Sequence, residues 1–455
     1  MPGRTERTSV NLDVTAGAQP VYGVPESDTP FRILILADFS GRANRGTQSA
    51  LAGRRPRSVD CDNLDEIMAE MAPALQLPQA PLRFRKLDDF HPDQIYQHTD
   101  LFRKFADLRS RPAPAATAAA PQPARPIVLP PGQSLLDSMV EQEEEDASRA
   151  ERVAEQRDDL ADFIKKAMAP HLEAREDPRK QQWAARVDSA AGEQMRAVLH
   201  HPQFQALEAA WRGVQFLVDR LQPDRELKLY VFDATLEELM SDAGALGKCL
   251  GDGKDPWALI IGAFSFGQTP EDAARLRWLG RLAASLGAPF LGEALPLTET
   301  APAPHWQELA GSPEAKWIGL AVPRFLLRLP YGKATSPVEG FAFEEMPESV
   351  HAAYLWGNPA FCCGLVIGAA FRSDGWQLRA GQHRQIESLP QHIYRADGES
   401  VAKPCAEVLL TEADADFLLE NGFMPLASMK DQDSALLVRL QSIALPLAPL
   451  SARWA

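Results

Sequence analysis

The chain has 455 residues, 45% of them hydrophobic, and its 62 acidic and 47 basic side chains leave a formal net charge of −15. That balance excludes a general nucleic-acid binder, because a polyanion needs a Lys/Arg-lined surface to release its counterions and no sustained basic run offers one. The length suggests two to four folded units, while no window approaches the roughly 20 unbroken apolar residues that cross a bilayer and the polar segment Met1–Arg7 lacks the apolar stretch of a signal peptide, so a cytoplasmic protein without membrane insertion is expected.

Phe31–Ala37 is a short continuous apolar run ending at Asp38 and Gly41, the pattern of a strand buried on both faces. Asn63–Met71 has helical spacing behind an Asn or Asp cap, Leu82–Arg85 alternates as a strand does, and Asp88 opens a second helix expected to run to about Leu108. These elements make a small α/β module over residues 1–111. From Arg111 to Pro131 the sequence is nearly all Pro and Ala, which cannot build a core and reads as an extended tether, with the linker placed at 112–133.

Beyond the tether, Ser134 caps a helix on which Leu135, Leu136, Met139 and Val140 form one apolar stripe, followed by the acidic run Glu143–Asp146. Helical patterns continue over 147–171 and 181–200. Pro202 then restarts the chain, and Phe204, Leu207, Trp211, Val214, Leu217, Val218 and Leu221 give the next helix a strong apolar face. Residues 134–226 therefore read as mainly helical. From 227 to 455 the texture is α/β: Leu227–Phe232, Trp257–Gly262 and Trp317–Val322 read as strands, and Glu271–Leu286 as a helix between them. That alternation predicts a mixed, mainly parallel sheet. The Pro-rich stretch Pro296–Pro313 reads as a surface loop.

No constellation recommends a catalytic, cofactor or metal site. Gly247–Asp255 is glycine-rich, but its spacing is wrong for a phosphate loop and Asp255 stands where the Mg²⁺-binding Ser/Thr belongs. Gly262–Gly267 resembles a nucleophile elbow only superficially, its first glycine and Ser265 being one residue too far apart. Adjacent His200 and His201 diverge by about 100° on a helix, so a helix cap explains them better than a shared metal. The five cysteines contain no C-x-x-C pair and fit a reducing compartment, and Cys362 and Cys363 lie in an apolar run as small buried hydrophobes. The densest signal is aromatic, Gly and Pro residues in Pro323–Glu345 and Tyr354–Pro359, which reads as a rigid loop framework, with Arg324 and Arg328 available alternatively to acidic surfaces of neighbouring subunits.

These same segments carry a family resemblance. Pro323–Glu345, Tyr354–Asn358, His200–Gly213, Leu389–His392 and Asn421–Leu426 resemble, in order, the large subunit (TssC-type) of the type VI secretion contractile sheath. Pro30–Arg42 and Phe84–Phe90 are similar to its small subunit (TssB-type), so the chain reads as a small–large fusion with the Pro/Ala tether at the join. The resemblance implies an α/β sheath-type body, a mechanical function, and no enzyme activity. It also implies a cytoplasmic helical tube of sheath protomers around an inner-tube protein, with a baseplate at one end and a disassembly ATPase that recognises a helix near the start of the large subunit. Leu135, Leu136, Met139 and Val140 are the proposed docking face, with ordinary packing as the alternative. Trp211, Arg324, Arg328 and Trp356 are candidate assembly or framework residues. Against the family pattern the chain stops early, at Ala455, and is expected to lack the C-terminal segment that links neighbouring protomers. An accessory cap, nucleator or regulator is therefore the alternative, and an α/β enzyme with an unrecognised site the more distant one.

Overall fold

The computed structural model describes residues 22–111, 178–251, 255–296, 303–379, 381, 384–396 and 398–454. Nine strands form its main sheet: β1 (Phe31–Ala37), β2 (Arg57–Val59), β3 (Leu227–Asp233), β4 (Trp257–Phe266), β5 (Phe290–Ala294), β6 (Ile318–Val322), β7 (Gln385–Ile386), β8 (Met424–Ser428) and β9 (Ala435–Leu437). Their order across the sheet is β7-β9-β8-β6-β5-β4-β1-β3-β2. The six central strands, from β8 to β3, are parallel, and the antiparallel strands lie at the two sides.

β1 lies between β3 and β4, with Ile33 opposite Leu229 on one side and Leu259 on the other. The strand nearest the N-terminus is thus central to a sheet whose other parallel strands all follow the Pro/Ala tract. Its composition makes this possible: Phe31, Ile33 and Ile35 feed the core on one face and Leu34 and Leu36 the core on the other, which only a strand covered on both sides can satisfy.

The first face is covered by α1 (Leu64–Met71), α2 (Pro92–His98), α3 (Asp100–Ser110), α4 (Pro178–Leu199) and α5 (Pro202–Leu221). α5 starts where His201 Nδ1 accepts the Gln203 amide at 3.3 Å, with Pro202 in the first turn. This is the capping role expected of the histidine pair. The second face is covered by α6 (Leu236–Ser241), α7 (Ala243–Gly251), α8 (Pro270–Leu286) and α9 (Pro304–Ala310). The long apolar helix α10 (Ala360–Asp374) packs on the first face and buries Cys362 and Cys363 completely; α11 (Glu412–Glu420) precedes β8.

Two expectations are corrected. The helix anticipated from Asp88 to Leu108 is three pieces, a 3₁₀ turn at Leu87–Phe90 followed by α2 and α3. His91 and Thr99 adopt extended backbone and cap fresh starts, and Pro92 cannot continue a preceding turn. The stretch Pro296–Pro313 is not only a surface loop, since α9 lies within it and buries Trp306 to 1% exposure, stacked on Phe423.

Candidate assembly framework

Parallel sheets of this order bind ligands where neighbouring connections diverge beyond the carboxyl ends of the strands. Here the chain leaves β1 for β3 and returns past it to β4, so that point lies beside Phe39 and Phe264. Protein side chains fill it. The Trp211 indole, fully buried on α5, donates to the Phe39 carbonyl at 2.9 Å and packs on the Phe39 ring. The Asn358 amide donates to the Phe264 carbonyl at 3.1 Å.

Next to it, an ionic cluster ties residues before the tether to residues after it. Arg42 meets the Glu238 carboxylate with two bonds of 2.9 Å and also pairs with Asp233. Arg54 adds two more to Glu238, at 2.8 and 2.9 Å. Burial opposes ionisation of Glu238, but these guanidinium bonds and the Ser49 and Thr235 amides hold its carboxyl far below the usual range.

A second cluster organises the loop framework. Arg328 is buried between two carboxylates, binding Glu208 through Nε at 2.8 Å and Nη2 at 3.2 Å, and Glu345 through Nη1 at 2.7 Å and Nη2 at 3.1 Å. Arg212 donates to Glu208 at 2.7 Å and to the Tyr331 hydroxyl at 3.0 Å. The Tyr331 amide donates to Glu345 at 2.7 Å, while its ring lies 4.1 Å from the Arg328 guanidinium. Two cations thus balance two carboxylates, and the planar fork of Arg328 spans both. Burial alone would raise the Glu345 pKa; the Arg328 charge, the nearby His200 ring at 3.6 Å and hydrogen bonds from Arg328 and the Tyr331 amide bring it down to about 2.

Arg324 binds Glu407 through bonds of 2.8 and 2.5 Å and stands 3.8 Å from Glu293. Burial pushes the Glu293 carboxyl up to about 7, against the pull of Arg324 and of Ser265, whose hydroxyl donates at 3.0 Å. Trp356 is 6% exposed, with its indole donating to the His351 carbonyl at 3.1 Å and its backbone paired with Leu326.

The four candidate framework residues therefore occupy different places. Trp211 lies on the sheet face, Arg328 and Trp356 in the loops over α5, and Arg324 just after β6 beside Glu293 and Glu407, each arginine with carboxylate partners in its own chain. Leu135, Leu136, Met139 and Val140 lie outside the described residues. Among the described residues no group of His, Cys, Asp or Glu has the arrangement of a metal site. Glu208, Glu345, Arg42 and Glu238 were not singled out from sequence. Glu208 had a signal, being an acid four residues from Phe204 and three from Trp211, inside the apolar stripe of α5.

Residues 181–248 and 296–444 match the family described as VipB, EvpB/VC_A0108, tail sheath N-terminal domain. Residues 3–114 match the type VI secretion system family described as VipA, VC_A0107 or Hcp2. The chain belongs to the type VI secretion sheath family. It joins matches to both sheath families in one polypeptide, and the connection between them, from 115 to 180, includes the Pro/Ala tract. The type VI secretion system sheath protein TssC1 of Pseudomonas aeruginosa is 31% identical over 302 residues, covering 58% of this chain and 61% of that protein. The chain therefore spans less than two thirds of that relative's length. Both ionic clusters have members from the two matched regions or from distant parts of the second: Arg42 and Arg54 belong to the first match and Glu238 to the second, while Glu208, Arg328 and Glu345 all belong to the second.

Proposed function

We propose that this chain is a structural, non-enzymatic component of the type VI secretion contractile sheath, carrying both subunit types in one polypeptide. The observation that carries this reading is the position of β1: a strand from the small-subunit match lies inside the sheet, paired on both sides with strands that follow the tether. Two subunits that must meet in one sheet gain from being linked, because the link converts their encounter into an intramolecular one at high effective concentration. Residues 1–111 act as the small-subunit part, 112–133 as the connector, 134–226 as the helical entry of the large-subunit part, and 227–455 as its α/β core.

The protomers assemble helically in the cytoplasm around an inner-tube protein, with a baseplate at one end, and contraction between alternative packings of rigid bodies drives the tube outward. Leu135, Leu136, Met139 and Val140 form the face taken by the disassembly ATPase. Replacing all four by Ala is expected to abolish that binding while leaving the melting curve unchanged, and retained binding would remove the assignment.

The test is negative-stain electron microscopy of the purified chain, alone and mixed with the inner-tube protein of the same system. Striated tubules are expected. Dispersed particles in both samples would overturn the sheath reading in favour of an accessory cap, nucleator or regulator.

A further inference from the structure

A cavity of about 630 Å³ opens between the sheet, α7 and the segment before β2, bordered by Arg54 of the first ionic cluster. Its floor is built from Tyr230 and Trp257, over which the Arg32 guanidinium lies at 4.8 and 3.9 Å. One Arg32 nitrogen donates to the Asp255 carbonyl at 2.6 Å, which fixes the plane of the group. Arg55 and Lys248, both exposed, stand at the rim. Arg54 also lines the cavity, but its charge is committed to Glu238.

Arg32, Arg55 and Lys248 thus bring three cations to one cavity in a chain whose net charge is −15. Asp242 is the only acidic side chain among the described lining residues, and among the described residues none of the three cations forms an ion pair. A guanidinium held flat on an aromatic floor presents its edge to a carboxylate; in Arg32 the Nε is buried and Nη1 is bound to Asp255, which leaves Nη2 for that contact.

We propose that this cavity receives the acidic run Glu141–Asp146 of the same chain, whose carboxylates pair with Arg32, Arg55 and Lys248. The run places five acids in six residues, the densest acidic stretch in the sequence. It lies about 30 residues from both Arg111 and Pro178, a reach of roughly 100 Å on either side at ~3.3 Å per extended residue. Docking in its own chain is therefore free of any length restriction. It also brings the adjoining stripe Leu135–Val140 to the body of the protein, beside the cavity; that consequence for ATPase access rests on the sheath reading, whereas the docking itself does not.

The experiment is carbodiimide cross-linking of the full-length chain, which joins an amine to a carboxylate only when they are in contact, followed by mass spectrometry of the monomer band. The expected result is an amide between Lys248 and a residue of the run. Its yield should fall at least threefold in Arg55→Glu and at 1 M salt, where the screening length drops to about 3 Å, and should return in Arg55→Lys. Both substitutions are at an exposed rim position, and unchanged circular dichroism verifies the fold. Absence of this link while other Lys–carboxylate links are recovered would overturn the proposal, as would a link confined to covalent dimers or one indifferent to Arg55→Glu.

Discussion

Replacing Arg328 by Ala tests whether the loop framework is held by its buried ion cluster. The side chain makes four hydrogen bonds to two carboxylates, and those residues, Glu208 and Glu345, are 0% and 1% exposed. Truncation leaves Arg212 to balance Glu208, but Glu345 keeps only the Tyr331 amide at 2.7 Å and His200 at 3.6 Å. Removing one partner of a buried pair costs about 3–5 kcal/mol, most of it the penalty of the stranded charge. With a urea dependence of about 4 kcal/mol per molar for a chain of this size, the midpoint should fall by about 1 M. The double variant Arg328→Ala, Glu345→Gln removes the stranded charge and should recover at least about 1 kcal/mol of that loss. Urea titration followed by tryptophan fluorescence reads both numbers. A shift below about 0.2 M for Arg328→Ala, or no recovery in the double variant, would refute the electrostatic account of the framework.

Four further outcomes are expected. Glu293 has its folded pKa raised to about 7 from 4.5, so the folded state holds the extra proton and its stability falls as pH rises from 4.5 to 7; Glu293→Gln should abolish that decline and be more stable at pH 8 by up to about 3 kcal/mol, measured as urea midpoints across pH. Glu345 has the opposite sign: its pKa of about 2 stabilises the fold above pH 4.5, a contribution lost as pH falls toward 2, so Glu345→Gln should flatten the acid limb of the same profile. Proteolytic cleavage within 112–177 should leave the two fragments bound together on gel filtration in native buffer, because β1 is paired on both sides by strands of the other fragment; separate elution would contradict the shared sheet. Gly213 lets α5 and α10 approach so closely that a Cβ there would lie 2.3 Å from the Phe361 ring, and Gly213→Ala should cost about 1–3 kcal/mol in chemical denaturation.

Much of this molecule was legible along the chain. The apolar runs at Phe31–Ala37, Leu227–Phe232 and Trp257–Gly262 are strands because a continuous apolar run needs cover on both faces, and the stripe from Phe204 to Leu221 is the buried side of α5. The histidine pair caps a helix because Pro202 sets its start, and the order of the aromatic and glycine-rich segments pointed to the sheath family. Local spacing and composition decide such features, since each depends on neighbours a few residues away.

What only the tertiary structure decided is which distant residues meet. Nothing in the pattern of β1 says that its partners lie about 200 residues or more later, on β3 and β4, because an apolar strand is compatible with any parallel neighbour. That Glu208, Arg328 and Glu345 pair with one another is decided only when three segments fold together and exclude water from all of them. Arg32, Arg55 and Lys248 likewise become one cavity only through the crossing of sheet, α7 and the segment before β2. Periodicity records the side of an element that is buried; the identity of the charge buried against it is a property of the assembled fold, where desolvation makes each unpaired group costly and so selects the partners.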